Sequence, residues 1–260
     1  FKMIEDFLNA ISNFRRNKIR TFLSLLGIII GVASVIVIMS MGQSSSQEIE
    51  DTFDSSGPDM VSVSKGFFRR NRSAVTINFD EEFREELFGE IEGIKKIWYE
   101  NNLSATVSYD QTSASASCTA VETGYMQTFG MQLEYGDYFS VTDDVMGQQK
   151  IILGSDIAST LFPNGDALGK YVLVVTNKVR FSFEVTGVLK EQYSGMEDTT
   201  SSCYIPRGFY EKKISPNPKA STVMVQAISK SRTTKLLEEI ETYCTKKTGT
   251  EGSVNVMSMQ

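Results

Sequence analysis

One run constrains this chain more than any other. Thr21 to Gly42, TFLSLLGIIIGVASVIVIMSMG, is 22 residues without a charge, a proline, an Asn or a Gln. At ~1.5 Å per residue it would reach roughly 33 Å as a helix, matched to a hydrocarbon core of ~30 Å. A helix buried in a soluble core rarely continues so far without a polar face. The run is therefore expected to be a transmembrane helix. A cleaved signal peptide fits less well, because the apolar region is too long and Ser40-Met41-Gly42 is a poor cleavage signal.

The flanks set the direction. Arg15, Arg16, Lys18 and Arg20 crowd its N-terminal side, and no Lys or Arg follows until Lys65. Positive residues stay cytoplasmic, so the N-terminus is expected inside and residues 43–260 outside. Ser24, Gly27, Gly31 and Ser34 fall on one helical face, with Gly27-x-x-x-Gly31 among them. Such a stripe lets another helix approach closely in lipid.

Charge is divided along the chain. Residues 1–42 carry five basic and two acidic residues, and the remainder carries 21 basic and 30 acidic. An acidic exterior argues against nucleic acid as a partner. Histidine is absent, which removes the commonest general base and transition-metal ligand. Cys118, Cys203 and Cys244 are an odd set, so at least one stays unpaired. Cys118 and Cys203 can pair only if the fold brings them together.

Local patterns divide the chain further. Residues 1–20 read as a cytoplasmic amphipathic helix (Ile4, Phe7, Leu8, Ile11, Phe14) with its basic cluster, and 43–57 as a stalk. Met60 to Ser64 alternates like a strand. Asp80 to Glu92 reads as a helix capped by Asp80 that buries Phe83, Leu87, Phe88 and Ile91. Ile94 to Tyr109 reads as one or two strands. Strand, helix and strand recur at Ser221–Ile228, Ser231–Lys247 and Ser253–Met257, the helix burying Leu236, Leu237, Ile240 and Tyr243. Two strand–helix–strand units thus bracket a β-rich insertion, an α+β arrangement with 58–118 and 219–260 as one part and 119–218 as the other. Within the insertion, Lys150–Gly154, Tyr171–Val175 and Val179–Val188 read as strands, and Ser155–Leu161 as a short helix with Ser155 near its N-cap. Pro206 assigns Cys203–Pro206 to a sheet edge.

No residue set carries catalytic chemistry. Pro163 to Lys170 lacks both the first glycine and the Ser or Thr of a phosphate loop, since Asn164 and Tyr171 stand there. Asp143-Asp144 and Glu197-Asp198 lack EF-hand spacing and read as solvated loop charges. Without histidine a Ser-His-Asp triad is excluded. The chain is expected to hold no cofactor, metal or catalytic residue of its own.

Asn17 to Ile36, NKIRTFLSLLGIIIGVASVI, resembles the first membrane helix of MacB/FtsX-type ABC-transporter permeases. Tyr135-Gly136-Asp137-Tyr138-Phe139 is similar to that family's G-R-x-F turn, with Asp137 in place of Arg. Leu153-Gly154, Leu161-Phe162, Gly169-Lys170 and Val185-Thr186-Gly187-Val188 follow in the family's order. The resemblance implies an extracytoplasmic domain with a split α+β "porter" part and an inserted β-rich "sabre" part, and three further membrane helices beyond Gln260. It implies a bacterial inner-membrane permease that dimerises with itself or a paralogue. Such a permease works with a cytoplasmic ABC ATPase, fused or separate, that binds ATP and Mg, and in some systems with a periplasmic adaptor or outer-membrane channel. Amphiphilic substrates (peptides, macrolides or lipoproteins) would be moved by the outer domain. An FtsX-like regulator of a cell-wall hydrolase, or a single-pass extracytoplasmic sensor, are the alternatives.

Overall fold

A computed structural model describes residues 18–19, 22–23, 25–36, 59–66, 76–176, 179–191, 193–194 and 197–259. The chain forms two compact units, Phe1–Thr52 and Phe53–Gln260. In the first, residues 25–36 are helical and exposed throughout. Of the expected span, residues 21, 24 and 37–42 lie outside the described residues, as do 1–17, 20 and the stalk at 43–57. Among the described residues no helix is long and apolar enough to cross a membrane.

The second unit is built on β1 (Met60–Lys65), α1 (Glu81–Glu90), β2 (Ile94–Tyr109), β3 (Thr112–Val121), α2 (Tyr125–Thr128), β4 (Leu133–Gly136), α3 (Val141–Met146), β5 (Lys150–Leu153) and α4 (Ser155–Leu161). These are followed by β6 (Tyr171–Thr176), β7 (Val179–Leu189), the small ladder of β8 (Tyr193–Ser194) and β9 (Glu197–Asp198), β10 (Ser202–Pro206) and α5 (Arg207–Phe209). After a π turn at Tyr210–Ile214 come β11 (Thr222–Ala227), α6 (Lys230–Thr248) and β12 (Val254–Ser258).

The first lobe of this unit is a four-stranded antiparallel sheet in the order β12-β1-β11-β2. Numbered by the lobe's own strands, that order is 4-1-3-2, the split βαβ arrangement in which each strand–helix–strand unit skips one place. Strand alternation sorts its side chains cleanly. Val61, Val63, Ile97, Tyr99, Val223 and Val225 face α1 and α6, and Met60, Trp98 and Met224 face the other way. The Asp80 carboxylate caps α1 by accepting from the Phe83 N–H at 3.1 Å. Phe83, Leu87 and Ile91 are buried as expected, but Phe88 is 46% exposed, because a ten-residue helix offers the sheet only one narrow stripe. On α6 the buried stripe is Thr233, Leu236, Ile240, Cys244 and Thr248. Leu237 and Tyr243 are only half-buried, and Cys244 holds the inward position instead of Tyr243.

The second lobe grows from the far half of β2. There Thr106–Ser108 pair with Leu173–Val175 of β6, and the ring β2-β3-β10-β5-β7-β6 closes on itself. The outcome is a six-stranded barrel that draws inward-facing residues from every strand, among them Val107, Cys118, Ile151, Val174, Phe183 and Ile205. Small residues such as Ala105, Ala116 and Ala120 leave room for Phe162, Phe183 and Phe209 in the same core. The helix α4 packs into this core through Ile157, Ala158 and Leu161; its cap is Gly154, with Ser155 as the first helical residue beside it.

The edge assignment of Cys203–Pro206 is overturned. β10 lies between β3 and β5 and is buried along its whole length. Pro206 is tolerated because it is the last residue, and β5 pairs only with Cys203 and Tyr204, so the missing N–H falls beyond β5. β2 belongs to both lobes. Residues 97–101 are buried on both faces, and from Asn102 onward burial alternates as a barrel wall requires. Its hairpin partner β3 runs through the expected boundary at 118/119.

Candidate functional site

The two lobes meet at a polar knot assembled from four separate pieces of chain. Arg84 stands on α1, Tyr99 and Asn101 on β2, Glu122 directly after β3, and Arg207 directly after β10. The Glu122 carboxylate accepts from Arg84 Nη2 at 2.6 Å and Nη1 at 3.3 Å, from Arg207 Nη1 at 3.3 Å, and from the Tyr99 backbone N–H at 3.0 Å. One carboxylate thus bridges two guanidinium groups, with Glu81 adding a contact to Arg84 at 3.1 Å and to Arg207 at 3.9 Å. Both guanidiniums lie over the Tyr99 ring, at 4.0 and 5.2 Å from its centroid.

Arg207 is 6% exposed, so these partners supply the hydrogen bonds that water would otherwise give its guanidinium. Its Nε donates to Asn101 Oδ1 at 3.1 Å and its Nη2 to the Pro218 carbonyl at 3.3 Å. Asn101 Nδ2 in turn donates to the Lys219 carbonyl at 2.9 Å. The knot therefore ties down the place where the chain returns from the barrel to the first lobe. Burial opposes the Arg84 charge, yet the hydrogen bond and attraction from Glu122 outweigh it and raise its pKa. Burial also drives the Tyr99 phenol up, against the pull of Arg84, and its hydroxyl donates to the Asp80 carbonyl at 2.5 Å.

Three consecutive residues leave β10 in three directions. Arg207 enters the knot. The Gly208 N–H donates to Asp144 Oδ1 at 2.7 Å, and a Cβ at Gly208 would lie 1.8 Å from the Asp144 carbonyl oxygen. Phe209 fills the barrel beside Phe181 and Phe183 with edge-on ring contacts at 5.1 and 4.8 Å. Asp144 also accepts from the Thr123 N–H at 3.0 Å, next to Glu122. Asp143 forms a capping box with Ser140 and an ion pair with Lys150 at 2.7 Å. Burial opposes its charge, but Lys150 and Ser140 hold its carboxyl below the usual carboxylate value. Asp143 and Asp144 are therefore structural fasteners, correcting their reading as solvated loop charges. Asp198 binds the Thr200 N–H at 3.0 Å in a turn of its own.

The similarity turn at Gly136 is a close approach of backbones. Gly136 has φ +93°, a Cβ there would sit 2.3 Å from the Thr186 carbonyl oxygen, and the Asp137 N–H donates to that same oxygen at 2.9 Å. A cleft of 480 Å³ opens beside it, lined by Asp137, Tyr138, Lys150, Leu168 and Glu184. A second cleft of 440 Å³ is lined by small residues of β2 and β3, with Val175 of β6 and Ser201 beside them. Ser140 and Asp143 also line the first cleft, where the Ser140 hydroxyl donates to Asp143 Oδ2 at 2.8 Å within the capping box of α3. Among the described residues no three His, Cys, Asp or Glu side chains converge as metal ligands.

Of the packing stripe, Gly27, Gly31 and Ser34 lie in the 25–36 helix. A Cβ on either glycine would meet nothing within 4 Å, and the Ser34 hydroxyl donates to the Ile30 carbonyl at 2.8 Å. Lys18 is exposed; Ser24, Arg15, Arg16 and Arg20 lie outside the described residues. The knot was not foreseen. Glu122 is 38 residues from Arg84 and 85 from Arg207, so no local pattern joins them.

The MacB-like periplasmic core domain family model matches residues 21–243. The chain belongs to that family. A Bacillus subtilis ABC transporter permease, YknZ, is 27% identical over 99% of this chain and 64% of its own length. The macrolide export ATP-binding/permease protein MacB of Marinobacter nauticus is 31% identical over 72% of this chain and 29% of its own length. The chain thus spans less than two thirds of the curated relatives it matches. Two solved structures share the fold. The extracellular domain of YknZ from Gram-positive bacteria has a TM-score of 0.61 and 23% identity, covering 76% of this chain and 99% of that one. The periplasmic region of MacB from Actinobacillus actinomycetemcomitans has a TM-score of 0.58 and 18% identity, covering 78% and 90%.

Proposed function

We propose that this chain is the permease part of an ABC exporter, passing work done by a cytoplasmic ATPase to a two-lobed extracytoplasmic domain. One observation carries the reading: the similarity to an ABC transporter permease runs through 99% of the chain, so it takes in both the apolar helix and the outer domain. Residues 21–42 then cross the bilayer with Arg15, Arg16, Lys18 and Arg20 inside, and the Ser24, Gly27, Gly31 and Ser34 face packs on a neighbouring helix. The exposure of Leu25, Ile28, Ile29 and Ile30 supports contact with lipid. ATP and Mg belong to the partner ATPase, and a second permease copy completes the assembly. Amphiphilic cargo follows from the export of macrolides and pyoverdine in relatives of that name.

The test is reconstitution of the full-length permease with the ABC ATPase encoded beside it. The two should co-purify, and the permease in liposomes should change the ATPase rate several-fold. An ATPase that neither binds nor responds, or a reporter fused after Gln260 that is active in the cytosol, overturns the proposal.

A further inference from the structure

The barrel interior holds two cysteines that a transport role does not use. Cys118 on β3 and Cys203 on β10 are direct partners across a parallel pairing. They are 1% and 0% exposed and belong to the same core, so both side chains point inward from neighbouring strands. Adjacent strands lie about 4.8 Å apart, within the Cα separation of roughly 4.4–6.8 Å that a disulfide spans. Cys244 lies in the other core, on α6 beside Leu236 and Ile240.

We propose that Cys118 and Cys203 are a site of covalent modification, joined by a cross-strand disulfide as the barrel closes. One cysteine thiolate attacks a low-molecular-weight or protein disulfide outside the membrane and releases one of its thiols. The second cysteine attacks the mixed disulfide and releases the other. The cysteine pair loses two protons and two electrons, and the oxidant is reduced to two thiols. In the folded barrel the Cys203 thiol donates a hydrogen bond to Cys118, and that bond together with burial pushes its pKa well up, so its thiolate is scarce. Closure therefore takes place during folding, before β10 is enclosed between β3 and β5. The bond would lock β3 to β10 and so fix the segment that carries Arg207 into the knot.

This inference rests on the extracytoplasmic placement proposed above, and the test separates the two. The full-length chain is produced in a bacterium with a disulfide-forming extracytoplasmic space, quenched in acid, denatured and labelled with a polymer-bearing maleimide. A second arm refolds the purified chain with diamide. Counted by mass on the peptides that carry Cys118, Cys203 and Cys244, one label before reduction and three after is the expected result, with two before reduction for Cys118→Ser and none for Cys244→Ser. Pairing only in the diamide arm supports the disulfide and places the fault with the placement. Three labels before reduction in both arms, or a mapped bond to Cys244, overturns it.

Discussion

Replacing Glu122 with Ala tests the knot most directly. The substitution leaves Arg207, 6% exposed, with Glu81 at 3.9 Å as its remaining carboxylate, and orphans the Tyr99 N–H. Removing one member of a buried ion pair costs roughly 3–5 kcal/mol. The side chains of Glu122 and Arg84 keep 19% and 21% of their exposure, and Arg207 retains Asn101 and Pro218. Solvent and those partners reduce the cost to about 2–3 kcal/mol. For a domain of this size each kcal/mol moves Tm by about 2–4 °C, so Tm should fall by about 5–10 °C. The single tryptophan, Trp98, is fully buried and adjoins Tyr99, so its fluorescence follows unfolding at the right place. Glu122→Gln keeps the shape and loses the charge, and should fall between wild type and Glu122→Ala. Adding Arg207→Met to Glu122→Ala should cost less than the sum of the two, by about 1–2 kcal/mol. A Tm within 1 °C of wild type, or strict additivity in the double variant, would refute the claim that this carboxylate holds the lobes together.

Three further outcomes are expected. Gly208→Ala places a methyl group against the Asp144 carbonyl oxygen, 1.8 Å from where its Cβ would stand, and should destabilise by about 1–3 kcal/mol in denaturant titration, whereas Gly165→Ala relieves no contact and tests only the turn. Cys244 has its pKa raised by burial from 9.0 to about 12, so its contribution is complete below pH 9 and is lost as the pH rises toward 12; Cys244→Ala should flatten the alkaline loss of stability measured by urea midpoints from pH 8 to 11. Gly27→Leu and Gly31→Leu meet open space in the single chain, so they should leave the Tm of the outer domain unchanged while reducing helix crosslinking and ATPase coupling; unchanged crosslinking and coupling would remove the small-residue face from the mechanism.

What could be seen in the sequence follows from the range of the interactions. The strand–helix–strand units were visible because their signals are local: Asp80 before an acidic first turn, and alternating valines at 61 and 63 and at 223 and 225. Barrel closure was not, because the pairing of Thr106–Ser108 with β6 joins segments far apart in the chain and leaves no periodic trace. Pro206 misled for a related reason. Its local rule is sound, but which side of β10 lacks a partner at its last residue is decided by the length of β5. The knot combined both difficulties, since a buried Arg after a proline looks like any surface Arg until Glu122 is brought to it.

The geometry also bears on how motion could travel through this domain. A hinge between lobes needs a connection that bends, with few buried contacts crossing it. Here β2 crosses without a break, paired with β11 on its near half and with β3 and β6 on its far half. The sheet continues from the first lobe into the barrel, and Trp98, Tyr125, Phe129 and Tyr204 pack a third core against both. The knot then fastens the returning strand at Pro218 and Lys219. Bending between the lobes would have to break a continuous ladder and expose a bridged pair of arginines at the same time. Under the permease role proposed above, a displacement of β1 should therefore move both lobes together, and a spin-label pair placed on Glu134 and Glu238 should keep one narrow distance distribution through the ATPase cycle. A distribution that splits on nucleotide binding would mean the knot opens in function.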